Sequence, residues 1–92
     1  MPSLFNIGGY KIYFWSNENN ESIHVHINKG KPSPGATKVW LTIKGGCIVA
    51  NNSSKIPASD LHELLEIIAA QSTTICAAWK QHFILDEIKF YC

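Results

Sequence analysis

The hydrophobic period of this 92-residue chain changes once, and that change restricts the fold more than any single motif does. From Ser22 to Asn28 apolar residues fall at every second position, at Ile23, Val25 and Ile27, and they do so again at Val39, Leu41 and Ile43. Successive side chains of a strand point to opposite faces, so each run reads as a strand with one apolar face. From Ser59 onward Leu61, Leu64, Leu65, Ile68, Ile75, Trp79 and Phe83 recur at helical spacing. A chain that is strand-periodic first and helix-periodic last is expected to lay helices over one face of an antiparallel sheet.

Turn residues divide the strand region. Gly8-Gly9 precedes Tyr10-Lys11-Ile12-Tyr13-Phe14-Trp15, a run rich in aromatic and β-branched residues that favour strands. The polar segment Ser16 to Glu21 then turns the chain into the Ser22 to Asn28 strand, forming a hairpin. Prolines at 32 and 34 exclude a central strand from the Lys29 to Gly35 loop, because proline has no amide to donate. Gly45-Gly46 joins the Thr37 to Ile43 strand to Cys47-Ile48-Val49-Ala50 in a second hairpin. Ser59 reads as the helix N-cap, with Pro57 just outside it. One unbroken helix from Asp60 to Phe83 would be about 36 Å long, more than the roughly 30 Å diameter of so small a domain, so a break is expected near Gln71 to Thr74. Residues 84–92 fit either a strand, with Ile88, Phe90 and Cys92 alternating, or an extension of the last helix. The expected architecture is α+β: a four-stranded antiparallel meander over about residues 9–51, covered by one or two C-terminal helices over about 59–84, in one domain of residues 1–92.

Composition narrows the function classes. Charged residues make up 16% of the chain and the net charge is +1, which gives no electrostatic case for nucleic acid and leaves uncharged surface for another partner. Three cysteines, Cys47, Cys76 and Cys92, with no C-x-x-C pair, argue against a disulfide framework or a cysteine zinc site and read as thiols of a cytoplasmic protein. No secretory leader opens the sequence, and no apolar run approaches the roughly 18 residues of a membrane span.

The chemistry-bearing residues cluster in pattern if not in sequence. His24 and His26 stand two apart on a strand and so project to one side, away from Ile23, Val25 and Ile27. Three readings stay open. The pair could ligate a transition metal, given a third ligand from His62, His82, Asp60, Glu18 or Glu21, none of which is singled out by spacing. It could serve as acid and base in RNA cleavage, with Lys11, Lys29, Lys31 or Lys38 holding phosphate, although no nucleophile or phosphate-cradling loop accompanies it. Or it could share a partner-binding face with Tyr13 and Trp15 of the first strand and Trp40 of the third, since rings of this kind supply much of the energy of protein interfaces. The structural alternative is that these rings only pair across strands, or that Tyr13 and Trp15 belong to the core while Ile12 and Phe14 face out. Trp79 and Phe83 are expected in the core with His82 at its edge, Cys76 as a small buried apolar residue, and Glu63 and Glu66 on a solvated helix face.

The stretches Gly9 to Glu18, Glu21 to Ile27 and Lys38 to Leu41, with Trp79 and Phe83 near the end, resemble a family of short bacterial proteins filed as a domain of unknown function. Its pattern is a Gly-Tyr-x-aromatic strand leading to Ser-Asn, a His-Val-His-Val segment, a Lys-x-Trp-Leu strand, and a helix carrying Trp and an aromatic. This chain departs from it at Ser22-Ile23, where the family has prolines, and the Pro32 to Gly35 loop and Ile84 to Cys92 segment are individual. Members are often encoded beside a second small domain, in toxin-antitoxin-like pairs, which implies a protein partner. The resulting expectation is a cofactor-free protein-binding module of a bacterial or phage conflict system, antitoxin-like or inhibiting a defence nuclease, with Tyr13, Trp15, His24, His26 and Trp40 as its contact residues. Self-association through an edge strand or the aromatic face stays open.

Overall fold

The computed structural model describes residues 3–15, 21–31, 35–84 and 87–92. Five antiparallel strands, β1 (Ser3–Ile7), β2 (Tyr10–Tyr13), β3 (His24–Lys29), β4 (Thr37–Leu41) and β5 (Cys47–Asn51), form one sheet in sequence order. Two helices follow, α1 (Ala58–Ala70) and α2 (Ser72–Phe83). The α+β class and the meander are as expected, but the sheet has five strands rather than four.

The added strand is β1. Its five residues are too few for alternation to stand out, Leu4 and Phe5 being adjacent apolar positions, and a bulge between Ser3 and Phe5 interrupts its register with β2. The signal that does mark it is Gly8-Gly9, both at positive φ, which is what a two-residue hairpin turn between Ile7 and Tyr10 requires. The turn segment 16–20 and Pro32 to Pro34, like Glu18 among the candidate ligands, lie outside the described residues.

Register fixes the two faces of the sheet. Ile12 pairs with Ile27, Val25 with Val39, and Val39 with Val49, so these residues look to one side. There they join Tyr10, Phe14, Ile23 and Leu41 and pack against Leu64, Ile68, Ile75 and Trp79 of the helices. Ile12 and Phe14 are thus core residues and do not face out.

Helix α1 begins one residue before the expected cap. Pro57, at φ −55° and ψ 145°, occupies the N-cap position, no side chain caps the helix, and the Leu61 amide donates to the Pro57 carbonyl at 2.9 Å. Ser59 therefore lies within the first turn, a correction that follows from proline's preset φ just ahead of a helix. The helices break at Gln71, whose φ of −103° and ψ of 16° leave the helical region. Run together without that bend, residues 58–83 would extend about 39 Å, beyond the 36 Å long axis of the molecule. Residues 87–92 continue neither a helix nor a sheet strand: they lie extended, with the Ile23 amide donating to the Lys89 carbonyl (2.8 Å) and the Ile43 amide to the Cys92 carbonyl (2.9 Å).

Candidate functional site

The face of the sheet turned away from the helices carries the residues singled out by alternation. Pairings of Tyr13 with His26, His26 with Lys38, His24 with Trp40 and Trp40 with Ile48 place all six on that side. Their rings touch in sequence. Trp15 meets Tyr13 at 5.3 Å between centroids and His26 at 6.3 Å, and Tyr13 meets His26 at 5.6 Å. His26 stands edge-on to His24 at 5.0 Å, and His24 to Trp40 at 5.4 Å. Such edge-to-face arrangements set the positive rim of one ring against the negative face of the next. Tyr13, Trp15, His24, His26 and Trp40 therefore form one contiguous row across three strands.

The row has a floor and a rim. Tyr13 and His24 are fully enclosed, whereas Trp15, His26 and Trp40 are half-buried. This corrects the picture of two histidines presented alike to a partner. The β2–β3 register runs from Tyr10↔Lys29 to Tyr13↔His26, and beyond that end of the ladder the His24 ring reaches Trp79 of α2 at 5.4 Å. His24 also holds the Ser22 carbonyl through Nδ1 at 2.8 Å. A carbonyl only accepts, so Nδ1 carries hydrogen and a neutral ring presents Nε2 as an acceptor. Trp79 in turn packs on Phe14 and Phe83, and the His82 ring lies against Phe14 at 5.4 Å, at the edge of the core as expected.

Lys38, Ile48 and Tyr91 extend the row. Lys38 holds its ammonium 4.2 Å from the Trp40 ring centroid and 2.7 Å from Glu21 Oε1. On the other side of Trp40 the Tyr91 ring lies parallel to it, 4.9 Å away and only 7° from coplanar. Tyr91 is 60% exposed and Ile48 41%. Sequence reasoning missed both Ile48 and Tyr91 as site residues. Ile48 was legible from the β4–β5 pairing, but Tyr91 was not, because its place depends on how segment 87–92 returns to the sheet.

The alternative chemistries find less here. Among the described residues no three His, Cys, Asp or Glu side chains come together to hold a metal ion. A fully enclosed His24, tied through Nδ1 to the main chain, is poorly placed to exchange protons with a phosphodiester. Two clefts of about 150 and 190 Å³ flank the hydrogen bond from the Tyr10 hydroxyl to Asp60 Oδ2 (2.9 Å), and neither is lined by His24 or His26. Burial first, and the Asp60 carboxylate second, push the Tyr10 phenol above its ordinary pKa. No helix among the described residues is long and apolar enough to cross a membrane.

Comparison with curated proteins and with solved structures gives no match. A family match does exist, and it runs from the start of β2 almost to the end of α2, taking in the whole aromatic row but neither β1 nor segment 87–92. With residues 9–80 matched by the model of Domain of unknown function (DUF4160), the chain belongs to that family.

Proposed function

We propose that the chain is a non-enzymatic binding module that caps another protein with the outer face of its sheet. The observation that carries this reading is the contiguous row from Trp15 to Trp40, open at its rim and prolonged by exposed Ile48. Amphipathic rings set on a rigid sheet offer large contact area at small cost in side-chain freedom, the usual make-up of an interface hot spot. The setting we infer is a bacterial or phage conflict system, in the cytoplasm, where the module neutralises a toxin or a defence nuclease. Gene pairing in the family that the sequence resembles supports such a partner, and three cysteines without disulfides suit that compartment.

The test is capture of a partner from host or phage-infected cells, comparing wild type with a His26→Ala, Trp40→Ala variant. These two are chosen from the rim because His24 and Tyr13 are enclosed, and truncating them would damage the fold itself. A protein bound in stoichiometric amount by wild type, and at least about 30-fold more weakly by the variant, is the expected result for loss of a hot spot. Cleavage of RNA by the purified chain alone, abolished by His26→Ala, would overturn the reading.

A further inference from the structure

Segment 87–92 is seated on the sheet in a way that reads as recognition. Its main chain accepts hydrogen bonds from the Ile23 amide, just ahead of β3, and from the Ile43 amide, just past β4. Between those two anchors its side chains divide. Ile88 and Phe90 pack against the core, while Tyr91 turns to the outer face and stacks on Trp40. Main-chain hydrogen bonds combined with side-chain pockets are the means by which sheet edges capture extended peptides, and here the same two ingredients meet at the ends of β3 and β4.

We propose that Trp40 and the amides of Ile23 and Ile43 form an acceptor for an extended segment bearing an aromatic residue, filled by residues 87–92 in the free chain and by a segment of the protein partner in the complex. The inference rests on the binding-module reading and specifies what that partner must bring. Four further observations support displacement. The acceptor residues lie within the matched family region, residues 9–80, and the segment that fills it lies outside. Lys89, Tyr91 and Cys92 are exposed although the segment is docked. Ahead of it, Ile84 sits in the left-handed region at φ 53° and ψ 58°, which a β-branched residue adopts only under strain. A cleft of about 370 Å³, lined by Ile43, Ser72, Cys76 and Phe90 among others, stays open beside the segment and gives a bulkier side chain room.

A labelled peptide of residues 87–92, with serine in place of Cys92, is the probe, titrated against the full-length chain. An attached segment competes with the probe, so wild type binds it at an affinity reduced by the fraction of acceptor already filled. Tyr91→Ala loses the stack and is expected to bind the probe about tenfold tighter than wild type. Adding Trp40→Ala should abolish that gain, whereas adding Trp40→Phe, which keeps a ring and the fold, should retain most of it. Equal binding by wild type and Tyr91→Ala, or a gain indifferent to Trp40→Ala, overturns the inference. So does a wild-type dimer in which the segment is exchanged between copies, because the occupant is then a second copy. In the capture assay, Tyr91→Ala holding the partner no better than wild type, with Trp40→Ala still losing it, removes displacement alone. Capture indifferent to Trp40→Ala removes the interface reading beneath it.

Discussion

His24 shows how one position can look functional and act structurally. Its ring meets His26, Trp40 and Trp79, its Nδ1 holds the Ser22 carbonyl, and no part of it is exposed. His24→Ala leaves a cavity and strips that carbonyl of a donor, and should lower the unfolding free energy in urea by about 2 to 4 kcal/mol. His26→Ala, at the rim, should cost roughly 1 kcal/mol or less. If both cost the same, the division into floor and rim is wrong. Tyr10 makes a second prediction. Its raised pKa means the folded state favours the protonated phenol, so its contribution to stability is whole below the ordinary value of about 10 and is lost as pH rises through the folded value. Asp60→Asn removes the carboxylate and should lower the titration seen in phenolate absorbance, while burial keeps it from returning fully to the ordinary range.

At the scale of the element, Ile84 offers the cleanest manipulation. It closes α2 in a left-handed conformation with its side chain 91% exposed, a position that glycine ordinarily holds. Ile84→Gly relieves the strain and gives back part of it as chain entropy, for a net gain of about 1 kcal/mol in urea unfolding. A loss would mean the Ile84 side chain makes contacts that matter. Elements also show what pattern can and cannot reveal. Tyr13, His24, His26 and Trp40 share a face because period two is a property of the extended backbone, and the alternation of Ile23, Val25 and Ile27 exposed it. How deeply each ring is enclosed depends on groups from α2 and other segments, and no local pattern carries that. The β1 strand escaped notice because a short, bulged edge strand needs no clean alternation, and the cap at Pro57 because a serine two residues on is the commoner signal. Residues 87–92 alternate as a strand does, yet their pairing is with the ends of β3 and β4, distant in sequence.

For the whole molecule, burial sorts the three thiols. Cys47, which points its Sγ toward the Leu65 carbonyl, and Cys76 both lie against the core, and burial raises both thiols, whereas Cys92 is exposed. Mass spectrometry of the native chain in an alkylating reagent should find Cys92 modified first and the other two only as fast as the fold opens. Early modification of Cys47 would show that α1 does not cover β5 in solution. The meander itself has a further consequence, in time rather than in space. Every strand pairs with its neighbour in sequence, so each ladder closes a short loop and forms quickly. The bonds from Ile23 to Lys89 and from Ile43 to Cys92 instead span the entire helical stretch, and they wait until both helices have docked. Segment 87–92 is thus expected to be the last piece to arrive on the folding pathway and the first to depart. Each folding event is then expected to pass through an interval in which Tyr91 does not cover Trp40, and under the displacement proposed above the length of that interval would set the pace at which a partner segment engages.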